Sequence, residues 1–348
     1  MASLLITNGT VVTLGTNCRV LPEHDLRCED GTIAAIGPHR SLAEPADRTL
    51  DARGKVVMPG FINAHMHFYS TLVRGLGKAE PSASFVEVLE HLWWRLDKKL
   101  SLDDVYYSAV IALIDAIRHG TTTLIDHHAS PFACRGSLDA IARAVKATGL
   151  RASLCYELSD RDGEAVTNDG IEENLAFIRR LAGQPDEHLR AMFGLHAAFT
   201  LSDRTLERAA TVTRETGAGF HIHVAEAASD EMASEREHGC RVVERLDRLG
   251  ILGPRTIAAH CVHVDGREIE LLAASGTAVV HNPQSNMNNA VGIADVLALK
   301  RAGVLVGLGT DAMTTNMLEE LRAAMWVRHL AERNPSAGFM ETTSLLIA

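Results

Sequence analysis

The run Val56-Val57-Met58-Pro59-Gly60-Phe61-Ile62-Asn63-Ala64-His65-Met66-His67 reads as a buried β-strand that closes on two histidines. Its apolar and β-branched residues carry the strand reading. Residues i and i+2 of an extended strand point to the same side, so His65 and His67 project together from its end. Two imidazoles placed that way suit a shared metal ion. An isolated His-x-His more often marks unrelated loop histidines, but the motifs that follow along the chain reverse that judgement.

From Val56 onward, short apolar strands alternate with helical stretches at residues 103–119, 138–148, 170–182 and 317–331, the pattern of parallel βα units. The strands are expected to end near His67, Asp126, Glu157, His196, Glu226, His260, His281 and Asp311. Eight such repeats close into an α/β fold of the TIM (β/α)8 barrel type, whose chemistry sits at the C-terminal ends of its strands. All of those ends carry His, Asp or Glu, which a purely structural barrel would not require. Residues 1–55 read differently. Their β-rich runs at 4–14 and 26–36, with turns at Asn8-Gly9 and Asp30-Gly31, predict a small N-terminal β module, half of a composite β-sandwich. The barrel domain then occupies residues 56–348.

On the fifth expected strand, Phe220-His221-Ile222-His223-Val224-Ala225-Glu226 repeats the alternation, with Glu226 at the rim. The sixth strand ends at His260, the seventh at His281-Asn282-Pro283, and the eighth at Gly309-Thr310-Asp311. Singly, each histidine would pass as a satisfied core or rim residue. As an ordered set, His65, His67, His223 and Asp311 offer three imidazoles and a carboxylate to Zn²⁺ or a similar divalent ion.

Bulk properties narrow the function classes. The chain has 34 Lys and Arg against 44 Asp and Glu, a formal net charge of −10, with no basic cluster. That argues against nucleic acid or an anionic membrane as partner. No apolar run reaches membrane-spanning length, and the N-terminus lacks the pattern of a signal peptide. The six cysteines are scattered without a Cys-x-x-Cys pair and read as reduced thiols, so a cytoplasmic protein is expected.

The motif order resembles the amidohydrolase superfamily: His-x-His after Met-Pro-Gly-Phe-Ile-Asn, then His-Val-Ala-Glu, a strand-end His, His-Asn-Pro and Gly-Thr-Asp. It is most similar to the branch of Trz/Atz-type (chloro)hydrolases and purine or pterin deaminases. Three further segments resemble the SsnA group of aminohydrolases: Leu92-Trp93-Trp94-Arg95-Leu96-Asp97, Ile125-Asp126-His127-His128-Ala129-Ser130-Pro131 and Ser285-Asn286-Met287-Asn288-Asn289. The resemblance implies His65, His67, His223 and Asp311 as metal ligands and Glu226 as the acid that protonates a ring nitrogen. It implies His260 as the imidazole that holds the attacking water and His281 as a rim residue beside the pocket. A metal-held water of pKa near 7, a proton-accepting Asp311 and a Glu226 of raised pKa are chemically consistent with those roles.

Dinuclear members of the superfamily use a carboxylated lysine on the fourth strand, and this chain has no lysine between Lys146 and Lys300. One divalent ion is therefore expected, zinc first and iron second, unless Cys155 or Glu157 bridges a second. His196 is expected to touch substrate from the end of strand four, and Trp93 and Trp94 to form an aromatic wall over it from a loop. The expected function is hydrolysis of a non-peptide C–N bond, with ammonia released from an N-heterocycle such as a purine, a pterin or a related amidine. A chlorohydrolase, a cyclic-amide hydrolase and a catalytically silent assembly protein of the same fold are the alternatives. The resemblance further implies a homodimer and a truncated C-terminus, since relatives continue with strands that complete the N-terminal sheet.

Overall fold

The computed structural model describes residues 2–15, 17–42, 44–76 and 80–347. The chain divides into two compact units at Gly60 and Phe61.

The first unit is one five-stranded sheet: β1 (Ser3–Val12), β2 (Val20–Glu29), β3 (Thr32–Pro38), β4 (Arg48–Asp51) and β5 (Val56–Val57). β2 runs antiparallel to both β1 and β3, whereas β4 and β5 lie parallel to β1. Asp30-Gly31 makes the expected hairpin turn, with both residues at positive φ. Asn8-Gly9 does not turn the chain. It lies inside β1 as a bulge, where the register with β2 shifts. Asn8 takes the left-handed conformation (φ 62°), and its N–H donates to Asp25 Oδ1 at 3.0 Å. A Cβ on Gly9 would stand 2.7 Å from Val57 Cγ2, so only glycine lets β5 lie this close.

Val56–Val57 is therefore a strand of the first unit and not the start of the histidine-bearing strand. Pro59, which has no N–H to give a ladder, separates the two. The histidine strand begins at Phe61, whose N–H donates to Gly120 O at 2.9 Å.

The second unit is a parallel α/β, TIM-barrel-like assembly. One four-stranded arc holds β6 (Phe61–Met66), β7 (Thr121–His128), β8 (Arg151–Tyr156) and β9 (Leu189–Ala191) in that order. A five-stranded arc holds β10 (Phe193–Ala197), β11 (Phe220–Val224), β12 (Ile257–His260), β13 (Ala278–His281) and β14 (Val306–Leu308). Single parallel bridges link Met66 to Asp311 and Leu158 to Leu195. The expected fourth strand is split at Met192. Its first part pairs with β8 and its second with β11.

Helices follow the strands, and their ends are written in the sequence. Leu102–Arg118 starts at a capping box between Ser101 and Asp104, and Asp203–Thr216 starts at Ser202 and stops at Gly217, which has φ 68°. Phe220, Ile222 and Val224 of β11 pack with Leu206, Ala209 and Leu246 of the surrounding helices. Strand alternation then leaves His221 and His223 on the opposite, inner side.

Candidate active site

The end of β6 is clasped by the segment after β14. Both Thr310 and Asp311 donate their N–H groups to His65 O, at 2.9 and 3.0 Å, and His67 N–H donates to Asp311 O at 3.3 Å. Asn63 ties the same two segments together. Its amide donates to Thr310 Oγ1 at 2.7 Å, and its Oδ1 accepts from Thr310 N–H at 3.2 Å. Asp311 sits at φ 52°, and the neighbouring strand ends place Ala225, His260 and Cys261 at positive φ as well. Left-handed backbone at non-glycine residues costs of the order of 1 kcal/mol or more each, and here it gathers at one rim.

Gly309 is needed for close approach, since a Cβ there would stand 2.4 Å from Asn282 Oδ1 and 2.8 Å from His65 Cβ. Gly309→Ala is expected to cost about 1–3 kcal/mol of stability and to displace His65. Thermal denaturation with and without added zinc checks this: the zinc-induced stabilisation should shrink along with the melting temperature.

The imidazoles have fixed roles. His67 Nδ1 donates to His127 O, and His223 Nδ1 donates to His196 O at 2.8 Å. Each therefore turns Nε2 inward, and the two Nε2 atoms stand 3.3 Å apart. Asp311 Oδ1 lies 3.1 Å from His67 Nε2 and 3.7 Å from His65 Nε2, and the latter has no hydrogen-bond partner among the described residues. His65 Nδ1 meets His221 Nε2 at 2.8 Å. The chain continues from His221 Nδ1 to Cys155 Sγ at 3.8 Å and from Cys155 Sγ to Asp126 O at 3.4 Å. It is satisfied when His65 donates to His221, His221 to Cys155 and Cys155 to the carbonyl. All four groups are buried.

Lone pairs aimed at one another are unfavourable unless a proton or a cation lies between them. For the protein groups taken by themselves, burial would pull His67 down. The hydrogen bond to Asp311 and the charges of Asp311 and Glu157 outweigh that and raise it to about 9. Burial likewise pushes Asp311 up, but the His67 bond and the surrounding imidazoles hold its carboxyl below its ordinary range. A divalent cation competes for the place of that proton. His65, His67 and Asp311 offer ligand atoms all within 4.8 Å of one another, as do His65, His223 and His260. The donor set of nitrogens and a carboxylate oxygen fits a zinc-type ion.

Beside this cluster lies a second set. Glu226 is buried, and burial first and the charge of Asp311 second push its carboxyl well above its ordinary range. Its Oε2 stands 3.4 Å from His260 Nε2. His260 Nδ1 faces Asn286 Oδ1 at 2.9 Å, which makes Nδ1 the donor and leaves Nε2 as a lone pair, 3.9 Å from Asp311 Oδ2. Ser285 Oγ donates to Asp311 Oδ2 at 2.5 Å, and Asn289 Nδ2 donates to Glu226 Oε1 at 3.4 Å.

The cleft above is lined by His67, His223, Glu226 and Asp311, and also by Trp93, Trp94 and His196. The two tryptophans lie on a helical segment and not in the expected loop, with Trp93 edge-on to Tyr69 and Trp94 edge-on to His196. His281 faces a smaller cavity with Ile293, Val296 and Arg328 instead of the main cleft. Asp97 and Glu157 line the cleft without having been assigned to it from the sequence. Glu157 was legible as a strand end. Asp97 stood inside the quoted tryptophan segment but carried no signal of its own.

The sequence model of the amidohydrolase family matches residues 56–346. The chain is 36% identical over 341 residues to a 5'-deoxyadenosine deaminase of Methanosarcina mazei, covering 97% of this chain and 76% of that relative. It is 34% identical over 343 residues to a 5-methylthioadenosine/S-adenosylhomocysteine deaminase of Pelotomaculum thermopropionicum, with coverage of 97% and 76%. Among solved structures, an adenosine deaminase from Xanthomonas campestris with bound zinc aligns with a TM-score of 0.88 at 27% identity, over 98% of this chain and 77% of that one.

Proposed function

Because the chain belongs to the amidohydrolase family, we propose that it deaminates a purine-like N-heterocycle by metal-dependent hydrolysis where His65, His67, His223 and Asp311 meet. It is a hydrolase of non-peptide C–N bonds. The observation that carries the reading is the set of inward-facing imidazole Nε2 atoms by Asp311, those of His67 and His65 at 3.1 and 3.7 Å from its Oδ1 and that of His223 at 3.3 Å from that of His67, beside the buried carboxyl of Glu226. A divalent ion bound there supplies Lewis acidity and lowers the pKa of a water from about 15.7 to about 7.

The chain's own groups do the rest. The lone pair on His260 Nε2 orients the attacking water, and Asp311 takes its proton. Glu226 gives its proton to the ring nitrogen of the amidine as the carbon becomes tetrahedral. The proton taken by Asp311 passes to the amino group, which leaves as ammonia, while the new hydroxyl returns a proton to Glu226 and becomes the carbonyl. Trp93, Trp94 and His196 line the cleft in which a planar heterocycle would lie.

One ion is the reading best supported by the hydrogen bonds. The Nδ1 atoms of His67 and His223 are committed to backbone carbonyls, and Cys155 is committed to Asp126 O. A second ion at His127 and Glu157 would have to share His67 and His223, whose ligand atoms gather with theirs. We take zinc as that ion, in keeping with the zinc in the Xanthomonas deaminase. We take the two arcs as one closed eight-stranded barrel, sealed by the Met66–Asp311 and Leu158–Leu195 bridges. The test is a screen of zinc-loaded protein against purines, pterins, guanidines and triazines, following ammonia. Release from aminopurines is the expected result; release of chloride from chlorotriazines in its place would move the reading to dehalogenation.

A further inference from the structure

Glu226, His260 and Asp311 come from three different strand ends, those of β11, β12 and β14. Yet side chains from one short segment hold all of them. The segment is the helix Pro283–Asn288 with its capping residue Asn289, directly after β13. Ser285 Oγ donates to Asp311 Oδ2 at 2.5 Å, Asn286 Oδ1 accepts from His260 Nδ1 at 2.9 Å, and Asn289 Nδ2 donates to Glu226 Oε1 at 3.4 Å. Spacings of four (285 to 289) and three (286 to 289) make neighbours on a helical surface, so a single turn can present these groups to the rim. The turn is itself anchored. Gln284 N–H donates to Oε1 of the buried Glu320 at 3.0 Å, and Val291 N–H donates to Asn286 O at 3.1 Å.

Asn289 does more than touch Glu226. The other hydrogen of its amide reaches Ser285 Oγ at 3.3 Å. Ser285 spends its one hydrogen on Asp311, so its oxygen is free to accept. Acid and base are thereby joined in the order Glu226, Asn289, Ser285, Asp311. An amide does not ionise near neutral pH, so this bridge holds the two carboxyls without passing protons between them. Ser285 also settles which oxygen of Asp311 faces the imidazoles. With Oδ2 bound to the hydroxyl, Oδ1 is the one turned to His67 and His65.

Asn286 acts on a different property. Its Nδ2 has no partner among the described residues, so the amide and the His260 ring form a pair with two settings. With Oδ1 toward the ring, His260 carries its proton on Nδ1 and keeps a lone pair on Nε2. With the amide reversed, the proton would move to Nε2, 3.4 Å from Glu226 Oε2, and no lone pair would remain for a water. Only the first setting suits a group that orients water.

Resting on the deaminase reading, we propose that Ser285, Asn286 and Asn289 are positioning residues for the proton transfers. Asn286 fixes the proton of His260 on Nδ1, and Asn289 with Ser285 sets Glu226 and Asp311 against one substrate.

The tautomer is read by nitrogen NMR of the zinc-loaded chain labelled at its histidine nitrogens, with His260→Asn identifying the His260 signals. The unmodified chain should carry that proton on Nδ1. In Asn286→Ala it should move largely to Nε2, and Asn286→Asp, which offers Nδ1–H only acceptors, should restore it. Zinc affinity is read by competition with a chromophoric chelator. Ser285→Ala should bind zinc about tenfold or more weakly, as expected on losing a ligand's outer partner, whereas Asn286→Ala and Asn289→Ala should stay within about threefold of the unmodified chain.

Turnover of adenosine completes the pattern. In each alanine variant kcat should fall about 10–100-fold with KM little changed. The double variant Ser285→Ala/Asn289→Ala should be no worse than the worse single one, because the two residues form one bridge. A merely structural role would disturb zinc affinity, KM and kcat together in all of them. A His260 proton that stays on Nδ1 in Asn286→Ala, unchanged zinc affinity in Ser285→Ala, or full turnover in Asn289→Ala overturns the proposal. The tautomer and zinc readouts need no turnover. Both as expected, with no ammonia from adenosine or any other aminopurine, sink the deaminase reading and keep the positioning. Ammonia with neither does the reverse.

Discussion

His67→Ala is expected to abolish stoichiometric metal binding and to take turnover below detection. His67 is the most connected group of the cluster: its Nε2 faces both Asp311 and His223 Nε2, and its Nδ1 is anchored on the backbone of β7. Its removal leaves His65 and Asp311 3.7 Å apart with no bridging imidazole. Chelation of the unmodified protein should have the same effect, reversed by zinc. A graded outcome is expected one step further out. His221→Ala removes the partner that orients His65, and an outer partner of this kind typically changes metal affinity by about 10–100-fold. Elemental analysis and competition with a chromophoric chelator read both variants. A His67→Ala protein that retains one ion per chain would contradict the ligand set.

Glu226→Gln is expected to keep its metal and lose about 10²–10⁴-fold in turnover, the range for a positioned acid or base. The amide preserves the shape and the contact with Asn289 but has no acidic proton to give. The backbone at Glu226 is held by Asp230 Oδ2, which accepts from its N–H at 3.0 Å, so the substitution should not unfold the rim. His260→Asn should fall in a similar range, because the water loses the lone pair that orients it while Asn286 loses only a neutral donor. Normal turnover in Glu226→Gln would mean that another group protonates the substrate.

What the sequence made legible was local. His65 with His67, and the inner face of β11, follow from a period of two and need no tertiary information. Asp311 could be named from its motif, but its placement depends on left-handed backbone and on bonds to His65 O, which arise only when β14 meets β6. The apolar run before His65 looked continuous. The pairing of Val56–Val57 with β1 divides it ahead of Pro59. Asn8-Gly9 carried a turn signal because left-handed residues serve bulges as well as turns. The place of Asp97 in the cleft lining was hidden for a similar reason: its own neighbourhood in the chain carries no signal, and only tertiary packing brings it there. His281 ends its strand as expected, but the side chain faces a different cavity.

The most direct test of the account is the fate of solvent oxygen. Zinc-loaded protein is incubated with an aminopurine in heavy-oxygen water, and product and ammonia are measured together by mass spectrometry. The account predicts one solvent oxygen on the carbon that lost its amino group for every ammonia released, and neither product after chelation. Ammonia without oxygen incorporation, or turnover that survives complete removal of metal, would contradict it.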